Sequence, residues 1–250
     1  MHSIEPIWTE KPETASRVRG RIKSVLDWAA AREYRQGENP ARWRGHLENL
    51  LPKKSKVRRV EHHAALPYPE IADFMAELRS KDGIAADALE FAILMAARTG
   101  EVIGATWAEF DLEHRLWSVP GERMKAGREH RVPLSEAAMA VLAALKREGD
   151  RVFPVSNMAM NMLLRRMGKN GLTVHGFRST FSDWAAERTN FPSEVRELAL
   201  AHAVGNKVEA AYRRGDMFEK RRQLAEAWAQ YCDGAEPSES NVVRLAGRGG

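Results

Sequence analysis

Phe91–Ala97 is an unbroken apolar run that ends at Arg98. A helix apolar on every side has no face to offer water, so it needs partners on most sides. The flanking sequence supplies them. Pro69 opens a helix whose Ile71, Phe74, Met75 and Leu78 form one stripe, and Lys81-Asp-Gly83 ends it. Ser135 is placed to cap a helix with Met139, Leu142 and Leu145 inward, and a Met-rich helix follows with Met158, Met160, Met162, Leu163 and Met167. From Thr173 a helix sets Phe177, Phe181, Trp184 and Ala185 on its buried face. Another starts at Pro192-Ser193, with Val195, Leu198, Ala199 and His202 in helical register, so His202 extends an apolar stripe. Asp216 and Glu219 form a capping pair for a last helix presenting Leu224, Ala227, Trp228 and Tyr231. Between these, Trp107–Leu112, Arg115–Val119 and Arg128–Leu134 are short, carry aromatic and β-branched residues, and read as a small antiparallel sheet. The fold class is mainly α with a small antiparallel β-sheet (α+β).

The N-terminal part differs in charge. After an irregular Met1–Lys11, the spacing of Val18, Ile22, Val25 and Ala29 predicts a helix beginning between Pro12 and Ser16. Arg17, Arg19, Arg21 and Lys23 occupy its other faces, the pattern either of a helix laid on phosphates or of a solvated charged face. Gly37-Glu-Asn-Pro40 ends the segment, and Ala41–Leu51, with Trp43, reads as a further short helix. A basic stretch carrying Lys53, Lys54 and Lys56 then forms a linker that either lies along a sugar-phosphate backbone or is a solvated tether. The expected division is residues 1–52, a linker at 53–67, a larger domain at 68–233 and a disordered tail at 234–250.

A net charge of +5 on 250 residues favours polyanionic partners. Cys232 is the single cysteine, which rules out an internal disulfide and suits a reducing compartment. No apolar run has membrane-helix length and no signal peptide opens the chain, so a soluble, cytoplasmic protein without a membrane partner is expected. His62-His63 makes a poor metal site, because adjacent side chains point apart and no cysteine or carboxylate cluster completes it.

The chemistry centres on Tyr212. Taken alone, a tyrosine on an apolar helix face is a core residue with its hydroxyl at the rim. A phenol of pKa about 10 becomes a nucleophile only where cations or a base stabilise the phenolate. Upstream lie candidates for that setting: Ala97-Arg98-Thr-Gly-Glu101, Met124-Lys125-Ala-Gly in a hairpin loop, His175-Gly-Phe-Arg178 and Leu200-Ala-His202. Glu101 is spaced to orient the Arg98 guanidinium at the end of the apolar helix. His175 and Arg178 project together off one helix flank, where a single phosphate can meet both.

In this order, the motifs resemble those of the tyrosine recombinase (phage integrase) family, over roughly Ile7 to Cys232, and most closely the integrases of temperate and satellite phages and genomic islands. The resemblance implies a catalytic domain preceded by part of a helical core-binding domain that closes over one side of DNA. The beginning of that domain is missing, which suggests a truncated gene or remnant. Carried over residue by residue, it makes Arg98 and Arg178 the clamp on the scissile phosphate, Glu101 the residue that orients Arg98, His175 a proton-transfer assistant, His202 a hydrogen-bond partner of a phosphate oxygen, Lys125 the general acid and Tyr212 the nucleophile. It implies no cofactor and no metal. Its partners would be double-stranded DNA attachment sites, a DNA-assembled homo-tetramer and accessory DNA-bending proteins. A type IB topoisomerase shares this chemistry but religates the original strand; the Ala-Arg-Thr-Gly-Glu segment and the C-terminal helix argue against it. A DNA-binding remnant without recombination activity is the other alternative.

Overall fold

A computed structural model describes residues 4–53, 65–124, 126–202 and 215–235. The chain divides into two compact units, Met1–His62 and His63–Gly250.

In the first unit, α1 (Glu5–Glu10) occupies the stretch expected to be irregular, and α2 (Pro12–Ala31) follows it directly, each with proline in its first turn. The small core is built from Trp8, Ala15 and Leu51, with Trp8 stacked on Trp43 and donating its Nε1–H to the Pro52 carbonyl at 2.9 Å. Two further expectations fail here. The stripe of α2 is not its buried face: Ile22 and Val25 are exposed, together with Trp28, whereas Pro12 and Ala15 are buried. Ala41–Leu51 forms no α-helix, only the 3-10 turn Leu47–Asn49, and Gly45 within the stretch takes a positive φ of 73°, which breaks helical geometry.

The second unit is organised around α4 (Ile84–Leu94), whose Phe91, Ile93 and Leu94 are all but inaccessible. It is wrapped by α3 (Ile71–Arg79), α6 (Glu136–Ala144), α7 (Ala159–Arg166), α8 (Gly176–Arg188) and α10 (Phe218–Cys232). All four residues of the α3 stripe are buried, as expected. So are Phe177, Phe181, Trp184 and Ala185 of α8, and each large side chain removed from water contributes about 1.5–3 kcal/mol. Trp228 of α10 reaches the α4 backbone, donating Nε1–H to the Ile93 carbonyl at 2.9 Å. Ser135 caps α6 through the Ala138 amide at 3.3 Å. The Met-rich α7 divides, with Met160 buried while Met158 and Met162 face solvent.

The sheet is antiparallel in the order β1 (Phe110–Asp111), β2 (Leu116–Val119), β3 (His130–Pro133), and the strands are shorter than expected. Trp107–Glu109 is a 3-10 turn rather than strand. The capping pair predicted for α10 does not form. Met217 occupies the cap with φ 51°, and the Asp216 carboxylate instead takes Nη2 of the buried Arg221 at 2.6 Å. Arg221 also donates from Nε to the Asp216 carbonyl at 2.7 Å and from Nη1 to the Arg131 carbonyl at 2.6 Å, which ties the start of α10 to β3. Among the described residues, no helix is long and apolar enough to cross a membrane.

Candidate active site

The apolar run does not carry a helix as far as Arg98. α4 stops at Leu94, and Ala96 takes a left-handed φ of 44°. A residue with a Cβ pays about 1–2 kcal/mol for that conformation. Arg98 then becomes the N-cap of a separate short helix, α5 (Thr99–Ile103). Its backbone N–H donates to Glu101 Oε2 at 2.9 Å, and its Nη1 pairs with Glu101 Oε1 at 2.6 Å. One buried carboxylate therefore satisfies an open helix N-terminus and fixes a guanidinium.

A similar turn ends α9 (Ser193–Ala199): Ala201 has φ 49°. The carbonyls released by these two turns receive the two arginines. Arg98 Nη2 donates to the Leu200 carbonyl at 3.2 Å and to the Ala201 carbonyl at 3.4 Å. Arg178 Nη2 donates to the same Leu200 oxygen at 2.6 Å, and its Nη1 donates to the Ala96 carbonyl. A helix C-terminus is negative, so α9 ends where two cations converge.

This corrects the picture of His175 and Arg178 as a matched pair on a helix flank. Arg178 is 5% exposed and points inward, whereas His175 is the exposed N-cap residue of α8. Burial first, and then the neighbouring Arg98 guanidinium, lowers the Arg178 pKa to about 10, with Glu101 opposing. His202 is not part of a helical stripe either, since α9 ends before it and its side chain is 45% exposed. Its Nδ1 lies 2.8 Å from Glu197 Oε2 and its Nε2 lies 3.3 Å from Arg178 Nη2. A guanidinium only donates, so Nε2 accepts and Nδ1 carries the proton toward Glu197.

The structure thus brings together Arg98, Glu101, Arg178 and His202. Lys125 and Tyr212 lie outside the described residues, as do Lys54 and Lys56 and the break expected at Gly205-Asn206. In the first unit, Arg17 and Arg21 are exposed on α2, with Arg17 3.4 Å from Glu13. Arg19 is committed to its own unit, donating to the Ala41 carbonyl at 2.9 Å with its guanidinium 5.9 Å from the Trp43 ring centroid. Lys23 pairs with Asp27, and Lys53 is exposed.

Sequence reasoning missed His130. It opens β3, partly buried, and its ring is hydrogen-bonded to the Ala199 backbone at the end of α9. Burial first, then the charge of Arg221, lowers its pKa from 6.5 to about 4, while Glu101 pulls the other way. Strand alternation was the available signal, because it sets His130 on the same side as Val132.

Comparison with known proteins follows the same lines. A family model described as "Phage integrase family" matches residues 66–218, and one described as "Phage integrase central domain" matches residues 1–46. The prophage integrase IntA of Escherichia coli (strain K12) is 37% identical over 166 residues, covering 62% of this chain and 40% of the relative. The integrase of Enterobacteria phage P4 is 29% identical over 252 residues, covering 89% of this chain and 56% of the relative. The E. coli prophage integrase IntZ is 31% identical over 244 residues, covering 93% and 58%. The chain therefore spans 40% to 58% of the length of these relatives.

Among solved structures, an integrase from mycobacterium phage Brujita aligns with TM-score 0.53 at 16% identity, over 88% of this chain and 75% of the other. The Tn1549 transposon integrase in complex with circular intermediate DNA aligns with TM-score 0.56 at 16% identity, over 86% and 78%. At these identities the likeness is one of fold.

Proposed function

The chain belongs to the phage integrase family of tyrosine recombinases, and on that premise we propose that it cleaves and rejoins DNA strands at specific sites to integrate or excise mobile DNA. The observation that carries this reading is the convergence of Arg98 and Arg178 on the Leu200 carbonyl, with His202 beside Arg178. Phosphoryl transfer asks for an in-line nucleophile, cations on the non-bridging oxygens and a proton for the leaving oxygen. Two preorganised guanidiniums answer the second requirement.

In this mechanism Arg98 and Arg178 hold the scissile phosphate, Glu101 keeps Arg98 in place, and His202, once its Nε2 leaves Arg178 and carries a proton of its own, donates to a phosphate oxygen. Tyr212 Oη forms a bond to phosphorus as the bond from phosphorus to the 5′-oxygen breaks. The departing electron pair stays on that oxygen, which takes a proton from Lys125, and His175 assists proton movement by accepting the proton that Tyr212 Oη gives up. The ester energy is kept in the 3′-phosphotyrosine link, so a 5′-hydroxyl from a partner duplex reverses the step without ATP. No metal or cofactor takes part.

Residues 1–52 contribute core-binding helices, 53–67 a basic linker with Lys53, Lys54 and Lys56 along the DNA backbone, 68–233 the catalytic domain and 234–250 a tail. Arg17 and Arg21 contribute to the DNA-facing charge of the first part, whereas Arg19 and Lys23 are engaged by the Ala41 carbonyl and by Asp27. The partners are double-stranded attachment sites, other copies in a DNA-assembled homo-tetramer, and accessory DNA-bending proteins, all in the cytoplasm.

The test uses a pool of random-sequence nicked duplexes that trap a covalent adduct by letting the 5′-hydroxyl fragment escape. Wild type forms adducts with a recoverable sequence, and Tyr212→Phe binds the same duplexes without forming them. Tyr231→Phe is the control, because the Tyr231 ring stacks on Trp228 at 6.2 Å between centroids. DNA binding by wild type with no adduct across the pool would leave only a DNA-binding remnant and overturn the reading.

A further inference from the structure

Arg123 lies two residues ahead of Lys125 in the sequence, at the end of the 3-10 turn Gly121–Arg123 that follows β2. Its guanidinium is not offered to DNA but turned back into the protein. Nη1 donates to the Glu101 carbonyl at 3.3 Å, and Nη2 pairs with Glu109, the side chains being 22% and 12% exposed. Glu109 is itself held by the Thr106 N–H at 3.2 Å, the Thr106 hydroxyl at 3.0 Å and Trp117 Nε1–H at 3.0 Å. Glu101 is therefore gripped at both ends, with Arg98 on its carboxylate and Arg123 on its carbonyl.

The fold makes room for this contact. A Cβ at Gly104 would stand 2.5 Å from Arg123 Nη1 and 3.0 Å from the Gly100 carbonyl, so a larger residue there would push the guanidinium out of its present place. The chain on either side of Lys125 is also tied down. Met124 is 7% exposed, and the Gly127 N–H donates to its carbonyl at 2.9 Å. A desolvated ion pair adds little net stability. What it does supply is a fixed geometry.

We propose that Arg123 is a positioning residue that registers the Lys125 loop against the Arg98–Glu101 unit, so that the proton donor and the phosphate clamp address one phosphodiester. This inference rests on the reading of Lys125 as general acid. A displacement of about 1 Å in such a group lowers a rate by about a hundredfold.

The experiment compares leaving groups on the duplex sequence recovered with wild type. Replacing the 5′-bridging oxygen by sulfur lets the leaving group depart as a thiolate, since a thiol has a pKa of about 8.5, and removes the need for a proton. Arg123→Gln should slow adduct formation about tenfold to a hundredfold on the oxygen substrate and recover close to the wild-type rate on the sulfur substrate. Gly104→Ala, which evicts the guanidinium without touching its charge, should behave alike. Lys125→Ala should show the same rescue, and Arg98→Ala should stay slow on both substrates.

Arg123→Gln equally slow on both substrates, with Lys125→Ala rescued, would overturn the positioning role while sparing the general acid. Lys125→Ala without rescue would overturn the general-acid reading and this proposal with it. Thermal melting checks that each variant is folded. Arg123→Lys, which keeps the charge but cannot reach both acceptors, replaces any that is not.

Discussion

Arg98 and Arg178 share one acceptor: the Leu200 carbonyl oxygen takes Nη2 of each, at 3.2 and 2.6 Å. Two like charges are held side by side because backbone oxygens and the Glu101 carboxylate stand around them. The arrangement is costly without an anion and favourable with one, as a preorganised oxyanion site should be.

Arg98→Ala should therefore lower the rate of adduct formation far more than DNA affinity. Loss of one preorganised donor removes about 3–4 kcal/mol of transition-state stabilisation, a hundredfold or more in rate. Arg178→Ala should do the same and also destabilise the fold, because the buried Ala96 carbonyl loses its donor, at about 1–3 kcal/mol, while the Leu200 carbonyl keeps only Arg98. Single-turnover rates, filter binding and melting separate these effects. Equal losses of rate and affinity would make the arginines ordinary phosphate anchors.

The helical framework was legible because apolar residues recur at helical spacing in α3 and α8 and run without a break into the end of α4, and burial followed those patterns. The site was legible only as a set of residue types. Nothing marks Ala96 or Ala201 as left-handed, since alanine gives no turn signal, yet those turns create the carbonyls that hold the arginines. Arg178 was read as a flank residue because periodicity reports which face is apolar, and a buried guanidinium satisfied by carbonyls breaks that rule. Asp216 was read as a cap from spacing alone, and the nearby Arg221 won its carboxylate.

Chelation should leave cleavage unchanged. In the proposed mechanism, guanidiniums supply the positive charge that a metal would otherwise bring to the phosphate. Adducts counted on denaturing gels with and without EDTA test this. Loss in EDTA, restored by magnesium, would point to a metal nuclease instead.

Charge on α2 should divide into two kinds. Arg17 and Arg21 are exposed, so replacing either with glutamine should reduce the slope of log affinity against log salt by about 0.9 for each phosphate that the side chain neutralises. Arg19 is bound to the Ala41 carbonyl and lies against Trp43, so Arg19→Gln should lower the melting temperature more than the salt slope. A flat salt response in wild type would sink the phosphate-binding reading of this helix altogether.

His130 should give the second unit a pH-dependent stability. Its imidazole is held neutral down to about 4, by burial first and Arg221 second, against 6.5 in the unfolded chain. Between those values the unfolded chain takes up a proton that the folded chain refuses, so stability rises with pH across the window. It is fully present above 6.5 and is lost as the pH falls toward about 4. At full extent the gap corresponds to about 3 kcal/mol. His130→Gln retains an N–H for the Ala199 backbone but does not titrate. Urea midpoints measured from pH 7.5 down to 4.5 should therefore fall more steeply for wild type than for the variant, since the carboxylates that titrate in this range are common to both. Parallel curves would mean that the His130 ring reaches solvent and takes its proton at an ordinary pH.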